Sequence, residues 1–171
     1  MTNLDQKFKN LPLLKYLEEH GVTLKDLLDT AMEMHIPHPG VETHEQAFSL
    51  FKFGFLEALT DVNVAVLEVA CFRAEEDGQK GLIPLLTARQ FKGRPGLIAD
   101  EYLGMTIANY IGGARAIFEF IRYDQAKPGI LRKLGPIAND GIGGLIAGVS
   151  SRIYSNALEK QKLKDLENKQ L

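Results

Sequence analysis

The chain of 171 residues contains a single cysteine, Cys71, and no tryptophan. One thiol cannot close an internal disulfide, so the fold must rest on packing, which fits a reducing compartment such as the cytoplasm. Cys71 lies among apolar neighbours and reads as a buried structural thiol rather than a nucleophile. Neither sign of charge dominates. With 20 Lys and Arg against 22 Asp and Glu the net charge is −2, which excludes the broad basic surface that nucleic acid requires. Long apolar runs are also missing. Stretches such as GIGGLIAGVSS fall well short of the ~20 residues that span a bilayer, and the first ten residues, MTNLDQKFKN, carry no apolar stretch of signal length. The nucleophile and phosphate-loop motifs are absent too. The glycines between 93 and 96 are not followed by GK[ST], no G-x-S-x-G occurs, and Cys71-Phe72-Arg73 does not make a thiolate phosphate loop. Covalent catalysis is left without a carrier.

What remains has the composition of a globular chain, 45% apolar and 25% charged, long enough to bury a real core as one domain. Helix signals punctuate it. Pro12 suits the first turn of a helix that stops at His20-Gly21, and Thr23 with Asp26 opens a second, closed by the PHPG turn at 37–40. Thr43 with Gln46 reads as a capping box for a third helix carrying Phe48, Phe51 and Phe55 as core. Thr60 and Asp61 start a fourth, in which Glu68 interrupts an apolar face and is expected to pair locally or snorkel outward, with an outer place in an acid cluster as the alternative. AEEDGQKG reads as a connection, Leu82 to Gln90 as a short helix, and KGRPG as a turn. His35 and His38 flank Pro37, which spoils the geometry of a ligand pair. No stretch alternates as a strand with hairpin turns would, and no solenoid repeat occurs. The expected fold is all-α, one multihelical domain with the Asp100 helix at its centre and others around it.

That helix is the chemical centre as well. In DEYLGMTIANYIGG, Gly104, Ala108 and Gly112 follow Asp100 at steps of four, a stripe of small residues headed by an acid. In NDGIGGLIAGVSS, Gly144 and Gly148 follow Asp140 in the same way. If the two narrow faces pack with their acid ends together, Asp100, Glu101 and Asp140 meet. Three carboxylates with no base among them repel, and a hard divalent cation relieves that. With Lys127 and its neighbouring bases nearby, the set suits a metal-bound phosphate, the carboxylates holding the metal and the cations neutralising the phosphoryl charge.

Three motifs in order carry a family resemblance: D-E-x-x-G at Asp100, Glu101 and Gly104; D-x-x-K-P-G at Asp124, Lys127, Pro128 and Gly129; and an acid before G-G-x-x-A at Asp140, Gly143, Gly144 and Ala147. Together with GVTLKDLLDTAM, KPGIL and SSRI they resemble the phosphatidylglycerophosphatase A family, in its Gram-positive branch without membrane spans, from about Gly21 to Tyr154. The resemblance implies a multihelical Mg²⁺-dependent phosphatase that converts phosphatidylglycerophosphate to phosphatidylglycerol. Carried over by position, Asp100, Glu101 and Asp140 form the acidic site with Asp124 and Lys127 nearby; Lys127 is expected to steady the phosphate, and Asp124 to orient that lysine or act as a further metal ligand. One position departs: where the family commonly has two adjacent acids this chain has Asn139-Asp140, so one ligand is a neutral amide that can bind phosphate or metal through its oxygen.

The expectations are therefore an enzyme using Mg²⁺ or Mn²⁺, with a phospholipid or another phosphomonoester as substrate, meeting the inner face of the membrane peripherally and without a span. The alternative is a non-catalytic helical protein that assembles with itself or with a partner through its small-residue and apolar faces. The charged tail from about 158 to 171 is expected to be a solvated helix end or disordered.

Overall fold

The structure, a computed structural model, describes residues 10–93 and 97–169. The expectations for the first nine residues and for the 94–96 part of the KGRPG turn lie outside the described residues. Eight α-helices form among them: α1 (Pro12–Glu19), α2 (Leu24–Glu33), α3 (His44–Ala58), α4 (Val62–Lys80), α5 (Ala88–Gly93), α6 (Ala99–Gly112), α7 (Arg115–Ala126) and α8 (Pro136–Lys169), with a 3₁₀ turn at Gly129–Lys133 before α8. No strand forms among the described residues, only an isolated bridge between His38 and Val41. The fold is all-α.

Local signals set most helix starts. Thr23 and Thr43 each close a reciprocal capping box, with Asp26 and Gln46, and the Asp61 carboxylate accepts from the Asn63 N–H at the head of α4. Two expectations are corrected. The charged run AEEDGQK belongs to α4, because Glu75 is buried in a tertiary contact and Gly78 lets Phe91 pack flat on the last turn. No helix spans Leu82 to Gln90. Leu85 takes a left-handed φ of 68°, and α5 starts only at Ala88.

The central helix is α8, not the Asp100 helix. Every residue from Ile137 to Ser151 is buried, because α3, α4, α6 and α7 all pack around that stretch, and the tail beyond Ser155 emerges as a mostly exposed helical end. The reason is composition: GIGGLIAG is uncharged and wholly apolar or small on every face, its glycines admitting close neighbours and its Ile142, Leu145 and Ile146 packing on the others. Helix α6 runs parallel along it. A Cβ at Gly144 would stand 2.3 Å from the Gly104 carbonyl oxygen, and one at Gly112 would stand 2.5 Å from that of Gly148. The two small-residue stripes are in backbone contact, with the starts of α6 and α8 at the same end of the bundle. Helix α7 runs back along both, its Phe120 against Gly104 and Gly143, and returns the chain to that end at Ala126.

Candidate metal and phosphate site

Three helices deliver side chains to the end where α6 and α8 begin. The first turn of α6 supplies Asp100 and Glu101, the last turn of α7 supplies Asp124, and α8 supplies Asn139 and Asp140. Because α8 starts at Pro136 rather than near Asp140, those two residues lie past its first turn. Lys127 ends α7 in a left-handed conformation, φ 44°, which turns the chain sharply into Pro128 and Gly129. That turn is anchored on α2. The Gly129 N–H donates to the Glu33 carboxylate (2.9 Å), the Ile130 N–H to Thr30 Oγ1 (3.0 Å), and Arg132 to Glu33 (2.8 Å). Lys127 is thereby fixed over the site.

Carboxylate oxygens of Glu101, Asp124 and Asp140 all lie within 4.8 Å of one another. The Lys127 ammonium donates to Asp140 Oδ1 at 2.9 Å and also to Asp124 and to the Asn139 side-chain oxygen. Asn139 presents that oxygen because its amide N–H groups donate to the carbonyls of Gly135 and Pro136, both at 2.8 Å. The sequence reading left the acids without an internal base, and Lys127 corrects it. The ammonium does not balance the cluster, however. Three carboxylates against one ammonium leave a formal excess of two negative charges, and Glu101 has no ion-pair partner among the described residues.

The titration pattern reflects this crowding. Burial, against the opposing Lys127 ammonium and with smaller contributions from the charges of Asp124 and Glu101, raises the pKa of Asp140 to about 7. Burial also raises Glu101, seconded by the charges of Asp124 and Asp100. For Lys127 burial opposes the charge, but the hydrogen bonds to Asp124 and Asp140 prevail and its pKa is raised. The donor set is all oxygen, carboxylate with one amide, which matches a hard divalent cation and not a soft one.

Other sequence candidates go elsewhere. Asp100 is not in the cluster: its carboxylate accepts from the Glu101 N–H at 3.0 Å and so serves the helix start, while burial raises its pKa. Glu68 neither pairs nor snorkels. It is 0% exposed, both oxygens are without a hydrogen bond, and burial lifts its pKa to about 8; it is also outside the set of clustered oxygens. His35 and His38 gather around Tyr154, His35 Nδ1 lying 3.0 Å from the Tyr154 hydroxyl, and Cys71 is buried with its pKa pushed up by that burial. Sequence reasoning missed Glu75, whose carboxylate accepts from the Ile137 and Ala138 N–H groups at 2.8 and 3.2 Å and seats the start of α8. Its spacing of seven from Glu68 on one helix face was the available signal.

No family model matches the chain. It is similar to the uncharacterized protein MJ1330 of Methanocaldococcus jannaschii, 31% identical over 132 residues that make up 74% of this chain and 99% of that protein. Its fold is similar to the crystal structure of the low temperature requirement C protein from Listeria monocytogenes, with TM-score 0.71 and 22% identity over 91% of this chain and 97% of that one. A protein of unknown function from Bacillus stearothermophilus is similar to the same degree, with TM-score 0.70 and 20% identity over 86% and 99% of the two chains. At these identities the solved structures speak for the fold alone.

Proposed function

The chain belongs to the family of the uncharacterized protein MJ1330 of Methanocaldococcus jannaschii, and from that premise and its own acid site we propose that it is a Mg²⁺-dependent phosphatase acting on phosphatidylglycerophosphate. The observation that carries the reading is the meeting of Glu101, Asp124 and Asp140 around Lys127, with negative charge left over. The ordered motifs that resemble the phosphatidylglycerophosphatase A family supply the substrate. Glu101, Asp124 and Asp140 would hold the ion, and Asn139 adds a neutral oxygen. Bound there, Mg²⁺ or Mn²⁺ supplies charge neutralisation for the phosphoryl oxygens and an acidified water. Lys127 has the role of a phosphate-facing cation, offsetting charge that develops as the ester bond breaks. Among the described residues no helix is long and apolar enough to cross a membrane, so a lipid substrate is met from the membrane surface, at its inner face if the chain is cytoplasmic.

Phosphate release from detergent-dispersed phosphatidylglycerophosphate, with Mg²⁺ and with chelator, tests this. Glu101→Gln removes one ligand charge at a half-buried helix start and should lower Mg²⁺-dependent release on the order of a hundredfold or more while the fold survives. An unchanged rate would take Glu101 out of the mechanism. Release only from a water-soluble phosphomonoester would keep the site and change the substrate.

A second reading has its own observation. The Lys127 ammonium already joins Asp124, Asn139 and Asp140, as it would in a purely structural cluster of a non-catalytic interaction protein. That reading expects no rise in melting temperature on adding Mg²⁺ or Mn²⁺.

A further inference from the structure

Between Gly81 and Ala99 the sequence contains no acidic residue, although acids make up 22 of the 171 positions. The segment from Gly81 to Thr87 leaves the last turn of α4 and doubles back, so that a Cβ at Gly81 would stand 3.1 Å from the Ala88 nitrogen. It is a compact surface loop with its ends together. It is also pinned. Leu86 is buried, Ile83 is packed against the core, and the Phe91 ring of α5 lies on Gly78 of α4. Against these anchors Leu82 is 65% exposed and Leu85 is 99% exposed. Leu85 holds a left-handed φ of 68°, a conformation that bulky side chains rarely adopt. Arg89 and Lys92, three apart on one side of α5, are exposed on the helix that follows the loop. The nearby acid Glu76 is occupied by His20, Arg73 and Lys80, which leaves Asp77 as the one exposed carboxylate of that last turn.

The geometry points to this loop as a docking surface for an anionic lipid bilayer, with Leu82 and Leu85 inserting among the acyl chains and Arg89 and Lys92 meeting the lipid phosphates. Apolar tips backed by bases and free of acids complement a negatively charged, hydrocarbon-backed surface. A protein partner would cover the leucines equally well but would not explain the missing acids. The loop also lies at the right end of the molecule. Glu75, just under two turns before it, caps the start of α8, and that start carries Asn139 and Asp140. The start of α6 adds its N-cap residue Ile98 and Tyr102, 61% and 63% exposed, before and after Asp100 and Glu101 in the chain. The proposal deepens the phosphatase reading by giving the site its route to a lipid. It is scored without turnover, so vesicle binding by a chain that hydrolyses nothing would remove that reading and leave the surface standing.

Co-sedimentation of the full chain with phosphatidylcholine vesicles, with and without phosphatidylglycerol, is the test. Binding should require phosphatidylglycerol and weaken as salt is raised. Leu85→Gly removes the inserting side chain while suiting the left-handed backbone, so it should reduce binding roughly tenfold without lowering the melting temperature. Replacing Arg89 and Lys92 together by Gln should reduce it by roughly tenfold or more. Val62→Ser with Val66→Ser, also exposed apolar positions but at the opposite end of α4, should change nothing. No binding, binding indifferent to phosphatidylglycerol, or binding unaffected by Leu85→Gly would each overturn the proposal. So would a concentration-dependent dimer in sedimentation velocity that Leu85→Gly abolishes, which would assign the surface to a second copy of the chain.

Discussion

Glu68 and Glu75 stand seven residues apart on one face of α4, both buried against the beginning of α8, and their situations differ because of where along that helix each arrives. Glu75 meets the first turn, whose N–H groups have no partner inside the helix, and it accepts two of them. Glu68 reaches α8 beside Gly141, one turn further on, where the backbone donors are already used within the helix. It finds none, and remains protonated near neutral pH with a pKa of about 8. Asp140 lies at nearly the same level as Glu68 and is almost as buried. It keeps a partner only because the left-handed turn at Lys127 brings an ammonium to it from α7. A buried acid in this protein is thus a cap, a proton-bearing carboxyl or a charged site member according to which donor the tertiary structure places beside it.

The comparison breaks most sharply at Lys127. Lys127→Met leaves buried Asp140 and half-buried Asp124 side by side without their cation, and should cost about 3 kcal/mol in urea unfolding at pH 7.5, held to the low end because the lysine is partly exposed. Mg²⁺ should restore part of that loss; failure to do so would count against the metal reading. Glu68→Gln tests the opposite case. The folded pKa lies above the ordinary carboxyl value of 4.5, so below that value burial carries no ionisation penalty. As pH rises the unfolded chain ionises while the folded one holds its proton, and stability falls until about pH 8. The amide removes this, stabilising the protein by about 2–3 kcal/mol at pH 7.5 and by little at pH 4.5. A loss at neutral pH instead would mean that Glu68 has a cationic partner. Glu75→Ala should have the smallest effect, about 1–2 kcal/mol, with Glu75→Gln costing less because its amide oxygen still accepts from Ile137 and Ala138. Equal losses for the two would show that charge against the helix start, rather than hydrogen bonding, is what counts.

Much of the fold was legible because its signals are local. Capping boxes at Thr23 and Thr43 and the helix start at Asp61 depend on a few neighbouring residues and appear where the pattern indicates. The two small-residue stripes also foretold a close crossing, and Gly104 lies on Gly144. The errors fell where a distant segment decides. Nothing local indicates that AEEDGQK continues a helix, because the reason is Phe91 on Gly78 and Glu75 on the start of α8. Glu68 looked like a residue that must find a partner, and α8 presents none at its level.

By itself the sequence determined the helical class, the helix starts and the pairing of two narrow faces, since periodicity and capping act within a few turns and glycine stripes admit only close neighbours. Tertiary structure decided which helix lies at the centre and which acids share a site. It also decided that the cation among them is Lys127, because the position of a carboxylate relative to a donor depends on how whole helices are offset along one another, and no single stretch of chain records that offset.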